Sequence, residues 1–172
     1  MAAWLIRMIA IVAMLQSAGC RDDVREITIA GETFTMELAL TPEQITQGMG
    51  GRQAFPEGGG MLFVFPRAEH RQFWMKDCLI DMDLIFLNAQ GLVTALHEMP
   101  AEPPQRPDET LDEYQRRLPL YRSRYPAQFA VELPAGSIRR LGVEVENRVE
   151  MDLEGLKALA EQVDDEGTPT DG

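Results

Sequence analysis

The chain has 172 residues and a formal net charge of −12, so it is long enough for one domain with a real hydrophobic core. Removing residues 1–19, whose only charged side chain is Arg7, leaves −13 on the remainder. So acidic a surface repels phosphate backbones and anionic lipid headgroups, which argues against nucleic-acid binding and against electrostatic membrane docking. Two cysteines, Cys20 and Cys78, exclude a cysteine-dense secreted scaffold.

The first twenty residues predict export. An apolar run over residues 8–15 follows Arg7, and the small residues 17–19 lead into Cys20. This pattern is typical of a bacterial signal peptide over residues 1–19 with a lipid-attachable cysteine behind it. Acylation of Cys20 would hold a small domain on a bilayer surface.

The prediction is therefore a membrane-tethered lipoprotein on the periplasmic or cell-surface side, with residues 20–25 as its lipidated N-terminus and spacer. Two alternatives stay open, ordinary cleavage without lipid and an uncleaved anchor. They remain because Ser17 occupies the position where such sites usually carry Leu.

Alternating polarity begins after this spacer. Residues 24–30 and 33–40 alternate around Gly31-Glu32, which predicts a β-hairpin. Thr41 before Pro42 predicts a helix start, and glycines from Gly48 onward end that helix.

The middle of the chain is rich in strands. Residues 61–65 form an apolar run that Pro66 stops, and residues 84–87 and 92–98 predict a second hairpin. Residues 100–118 are proline-rich and charged, so a surface loop with one helical turn near 111–117 is expected.

The last third predicts shorter elements. They are a strand over 128–133, a short helix closed by Gly142, a final strand over 146–152, an amphipathic helix over 153–163 and a disordered tail over 164–172. Because strands dominate, the predicted fold is mainly β: a small antiparallel β-barrel-like single domain over residues 26–152 with a few short helices.

Several blocks together resemble a known family. They are T41-P-E-Q-I-T-Q-G48, G60-M-L-F-V-F65, F73-W-M-K-D-C-L-I80, D83-L-I-F-L87 and the stretch 121–136. In combination they are similar to the bacterial and archaeal domain of unknown function 192 family. The resemblance spans about residues 26–150 and implies a closed or partly closed β-barrel-like fold. It implies no activity, substrate or cofactor, and the carboxylates Asp77 and Asp81 depart from the family pattern.

Five side chains form the candidate ligand-binding set: Arg52, Trp74, Lys76, Asp83 and Glu132. On an extended strand Trp74 and Lys76 share one face and offer a stacking surface with a cation, which suits a saccharide or an organic anion. Arg52 follows a glycine cluster that could help to hold an acid group. The alternative is structural, with Trp74 covering the core and Lys76 reaching into water.

Other functions compete with binding. A hydrolase acting on envelope saccharides would use Asp83 and Glu132 as a carboxylate pair across a cleft. A structural module would dock another envelope protein through loop 100–118. Cys78 and His97 contain the groups of a thiolate–imidazole pair, but a buried inert thiol is the commoner role. No cofactor, no metal site and no catalytic signature is predicted.

Overall fold

The computed structural model describes residues 24–167. The predicted signal peptide over residues 1–19, the predicted lipid attachment at Cys20 and the end of the predicted tail, residues 168–172, lie outside this range. Within it, none of the helices combines the length and the apolar character needed to cross a membrane.

Most strands belong to one sheet. The strands are β1 Val24–Ile29, β2 Glu32–Ala39, β3 Gly59–Glu69, β4 Gln72–Phe73, β5 Met82–Leu87, β6 Val93–Met99, β7 Tyr121–Arg122 and β8 Ala127–Pro134. The helices are α1 Pro42–Gln47, α2 Leu111–Arg117, α3 Ser137–Leu141 and α4 Leu153–Gly167. Six strands pair in the order β1-β2-β3-β8-β5-β6, while β4 and β7 form a separate two-stranded ribbon.

The mainly β single-domain prediction with few short helices is confirmed, whereas two details of the barrel are corrected. Strands β2 and β3 are parallel, because α1 and the loop behind it carry the chain back before β3 begins. The sheet is open, since β1 and β6 are edge strands that do not pair with each other in the described range.

A single segment bonds to both edges of this open sheet. Glu150 exchanges backbone hydrogen bonds with Thr28 of β1, and Val93 of β6 donates to Asn147. The strand predicted over residues 146–152 is therefore a pair of isolated bridges at Arg148 and Glu150.

Local signals placed the first helix correctly. The Thr41 hydroxyl accepts from the Gln44 N–H at 3.2 Å, and the Gln44 side chain accepts from the Thr41 N–H at 3.0 Å. This reciprocal capping satisfies N–H groups that a helix start leaves open. The helix ends at Gly48, whose φ of 47° is unfavourable for a residue with a side chain.

The sheet has an apolar cluster on each face. On one face Leu62, Val131 and Ile85 pack beneath α4 through Leu156 and Ala160. On the other face the buried cluster includes Phe63, Met75, Met82, Leu84 and Phe86. The second cluster lies under the end of α1 and the segment 73–80, and this face carries the candidate site.

The segment 100–118 is less peripheral than its composition predicts. Tyr114 is only 1% exposed, and its hydroxyl accepts from the Asp77 N–H at 3.0 Å. Arg117 orders the segment by donating to Glu109 and to the Pro103 carbonyl. The C-terminal helix also runs to Gly167, four residues beyond its predicted end.

The close approach of β3 to β8 generates the first prediction. A Cβ at Gly60 would overlap the backbone oxygen of Glu132. We expect Gly60→Ala to lower the free energy of unfolding by about 3 kcal/mol or more, because backbone atoms cannot move aside as a flexible side chain does.

Urea unfolding measures the effect. Gly58→Ala is the control: its Cβ would meet nothing, and only a positive φ of 64° opposes it, which costs about 1–2 kcal/mol. Equal losses in the two variants would contradict the close-packing argument.

Candidate functional site

The site is built on a row of side chains that crosses the sheet. Cα pairing aligns Glu37, Met61, Glu132, Leu84 and His97 on neighbouring strands. Glu132 lies on β8, an inner strand, so Met61 and Leu84 flank it on both sides. An ionisable group thereby occupies the middle of an apolar face.

Burial dominates the chemistry of Glu132. The side chain is 5% exposed, and its Oε2 has no hydrogen-bond partner among the described residues. Desolvation raises the pKa of Glu132 from 4.5 to about 8, and the positive charge of Arg52 opposes this shift only in part. At neutral pH the carboxyl is therefore mostly protonated and can donate as well as accept a hydrogen bond.

The end of α1 lies directly over this carboxyl. A Cβ at Gly48 would stand 3.7 Å from Glu132 Oε2 and 3.3 Å from Phe63 Cζ. Gly48 thus adopts the backbone conformation that ends α1, and because it has no side chain, the space above the Glu132 carboxyl stays open.

The segment that carries Trp74 and Lys76 turns instead of extending. The Cys78 N–H donates to the Met75 carbonyl at 3.3 Å, and Asp77 has a φ of 57°. The predicted strand alternation over this segment is therefore wrong. Trp74, Lys76 and Cys78 nevertheless line the same cavity, because the turn folds them towards the end of α1.

A cavity of about 1080 Å³ opens above Glu132. Its apolar wall consists of Phe63, Phe65, Phe73 and Trp74, with Phe63 and Phe73 in edge contact at 4.8 Å between ring centroids. Its charged lining residues are accompanied by several polar ones, and together they include His70, Arg71, Gln72, Lys76, Asp112, Arg116 and Glu132. This volume is at the upper end of the range for small-molecule sites, about 300–1,000 Å³.

The structure brings together part of the predicted binding set. Trp74, Lys76 and Glu132 line the cavity. Arg52 lies outside the lining, where its Nη1 pairs with Glu37 Oε2 at 2.7 Å, but it is close enough to influence the charge of Glu132.

Asp83 lies on the opposite face of the sheet. It is aligned with Leu133, the residue next to Glu132, and alternate residues of a strand point to opposite faces. Its Oδ2 accepts from the Ile138 N–H at 2.7 Å at the start of α3. Asp83 and Glu132 therefore do not face each other across a cleft, which removes the geometry on which the hydrolase hypothesis depends.

Cys78 and His97 are also engaged separately. The Cys78 Sγ donates to the Lys76 carbonyl at 3.6 Å, and burial, followed by the charge of Glu132, raises the pKa of the thiol to about 12. His97 Nε2 is 2.9 Å from the Arg122 carbonyl. The thiol is thus protonated at neutral pH, unlike an activated nucleophile.

Arg71 is a cavity residue that the sequence interpretation missed. Its guanidinium carbon lies 4.1 Å from the Phe65 ring centroid, and its Nη2 donates to the Arg67 carbonyl at 2.7 Å. Burial is the largest cause lowering its pKa. The sequence marks Arg71 only as one of several arginines after an apolar strand, and its contacts depend on long-range folding.

These features define a mainly β single-domain protein with one large polar–aromatic cavity. The DUF192 family model, described as Uncharacterized ACR, matches residues 25–151. The chain belongs to this family, as its combined motifs predicted. No curated protein matches it significantly.

Two solved structures are similar to the chain. A candidate transcription regulator from Sinorhizobium meliloti 1021 is 33% identical, with a TM-score of 0.58 over 74% of this chain and 91% of that one. A protein of unknown function from Novosphingobium aromaticivorans is 24% identical, with a TM-score of 0.59 over 74% and 84% of the two chains. The second likeness concerns the fold alone.

The burial of Glu132 generates the second prediction. Because its pKa is higher in the folded protein than in the unfolded chain, its contribution to stability is complete below about pH 4.5 and is lost as the pH rises to about 8. We expect Glu132→Gln to gain stability relative to the native protein over this window, by at most about 5 kcal/mol.

Denaturant unfolding from pH 4 to pH 9 measures this difference. Glu26→Gln, which removes an exposed carboxylate from β1, is the matched control and should run parallel to the native protein. Parallel curves for Glu132→Gln would show that the carboxyl is ionised in the fold, contrary to the prediction.

Proposed function

We propose that this protein is an exported, membrane-tethered binding module whose cavity takes a small polar organic molecule, a saccharide or an organic anion. The observation that carries the proposal is the unpartnered Oε2 of Glu132, buried in the wall of a cavity with an aromatic side. A fold that leaves such an atom without a partner loses about 1–3 kcal/mol, which a ligand hydrogen bond would recover.

The charge of the cavity supports a polar or anionic ligand. Arg71, Lys76 and Arg116 line it, and among the described lining residues Asp112 is the one carboxylate when Glu132 is protonated. Two of the cations have an acidic neighbour: Asp77 Oδ2 lies 2.6 Å from Lys76 Nζ, and Glu69 Oε2 lies 3.4 Å from Arg71 Nη2. The cavity therefore offers three cationic hydrogen-bond donors on a chain whose net charge is −12. Such donors would hold a polar or anionic group through charge-assisted hydrogen bonds.

The aromatic wall supports a ligand with a flat or partly apolar body. Trp74 lines the cavity and is 37% exposed, so its large ring offers apolar surface to a ligand there. Leu120 is another exposed apolar residue of the cavity lining. We call the exposed apolar surface of these two lining residues the apolar lip, and a sugar ring would stack on its indole.

The third prediction concerns this lip. In a Trp4→Phe full chain, Trp74 is the only indole, so its fluorescence reports the cavity alone. We expect at least one member of a panel of saccharides and organic acids to shift this emission saturably. Trp74→Ala should weaken the same interaction, measured by calorimetry, by roughly fivefold, because stacking contributes about 1 kcal/mol.

Tyr125→Ala is the control for the loss of an exposed aromatic side chain. Tyr125 is 63% exposed and does not line the cavity, so binding should be unchanged. The binding proposal fails if no panel member shifts the emission, or if both variants weaken binding equally.

The fourth prediction concerns the tether. We expect the full chain expressed in a Gram-negative host to enter the membrane fraction and to incorporate labelled palmitate. Cys20→Ala should lose the label and most of the membrane association, because acylation of this cysteine supplies the anchor. Cys78→Ala is the control, since it removes the other cysteine, which is buried in the domain. A membrane-bound but unlabelled Cys20→Ala protein would favour an uncleaved anchor instead.

A further inference from the structure

The cavity wall contains a second polar atom without a partner. Arg71 Nε, like Glu132 Oε2, is buried and has no hydrogen-bond partner among the described residues, and both side chains line the cavity. Such atoms are rare in native folds, and two at one cavity are two places where a ligand would supply the missing partner.

The backbone of Arg71 is held firmly. Its N–H donates to the Ser123 hydroxyl and its carbonyl accepts from the Ser123 N–H, both at 3.0 Å, and Ser123 is fully buried. Phe65 supports the guanidinium from one side, and Glu69 Oε2 lies 3.4 Å from its Nη2, so a ligand would meet the Nε edge that has no partner. The arginine is thereby preorganised, so a ligand would not have to immobilise a long flexible side chain.

The two atoms require different partners. A guanidinium is a donor only and is matched best by a carboxylate. A protonated carboxyl has one O–H donor together with acceptor capacity, so it is matched by a hydroxyl group. Burial keeps Glu132 in that protonated form at neutral pH. Phe63 and Phe73 supply apolar surface in the same cavity.

We infer that the cavity binds a hydroxylated carboxylic acid, with the carboxylate at Arg71 and a hydroxyl group near Glu132. A sugar acid is the simplest member of this class, and a free sugar acid and a residue of an acidic saccharide share its chemistry. The inference rests on the proposed binding function and narrows it: neither a neutral saccharide nor a plain carboxylate satisfies both atoms.

Calorimetry with the purified full chain at pH 7 tests the inference with four probes. They are glucuronate, a short oligouronate, glucose and cyclohexanecarboxylate. We expect one of the two uronate probes to bind at least tenfold more tightly than both glucose and cyclohexanecarboxylate. The uronate that binds better identifies a free or a polymeric source, and either result supports the inference.

Substitution of Arg71 provides the residue-level test. Arg71→Gln should reduce the preference for uronate over glucose to about twofold, and Arg71→Lys should restore part of it through the charge alone. Arg67→Gln is the matched control, because Arg67 is exposed and absent from this cavity lining. Thermal unfolding identifies any variant that fails to fold. If Arg71→Gln does not fold, the preference of Arg71→Lys for uronate over glucose tests the inference in its place.

The outcomes separate the inference from the proposed function. Equal affinity for uronate and glucose, equal affinity for uronate and cyclohexanecarboxylate, or an unchanged preference in Arg71→Gln overturns the inference while leaving a binding module. A shift of Trp74 emission by other panel members but by neither uronate does the same. If none of the compounds binds, both the inference and the proposed binding function are overturned.

Discussion

Desolvation of one carboxyl group organises the functional face of this protein. Glu132 is on an inner strand, so the neighbouring strands bring Met61 and Leu84 against it, and Gly48 at the end of α1 lies above it without a side chain. Arg52 is near but is engaged with Glu37, so its charge only moderates the effect of burial. The least costly state for such a group is the protonated one. A fold that keeps this group offsets its cost by apolar burial on both faces of the sheet, and violations of this kind concentrate at functional sites.

Strand alternation decides which carboxylate belongs to this face. Asp83 is aligned with Leu133 and therefore projects into the cluster beneath α4, whereas Glu132 projects into the cavity. By residue type alone, Asp83 and Glu132 are equally good candidate acids. Only the pairing register of the strands shows that they lie on opposite faces of the sheet. Asp83 then serves the fold, because its carboxylate accepts the Ile138 N–H at the start of α3.

The elements that depend on neighbours in sequence were predictable. The first hairpin, the Thr41 cap, the second hairpin and the short α2 all follow from local patterns, and the structure confirms them. The parallel pairing of β2 with β3 was not predictable, since a hairpin and a crossover leave similar strand patterns. The burial of Tyr114 was also missed, because a charged, proline-rich surrounding hides one anchoring contact with Asp77.

The residues of the site follow the same rule: those with a local sequence signal were predictable, and those that depend on long-range contacts were not. Trp74 and Lys76 were found because an aromatic beside a cation is visible in sequence, even though the chain turns where a strand was expected. Arg71 was invisible, since its significance comes from Ser123, which is more than fifty residues away, and from a missing partner that only folding creates. All the cavity residues that carry the binding argument lie within residues 25–151, the part shared with the DUF192 family. The proposed ligand binding would thus belong to the common domain, whereas the proposed export and tether depend on residues 1–20, which precede it. The two proposals rest on separate parts of the chain, so the failure of either leaves the other standing.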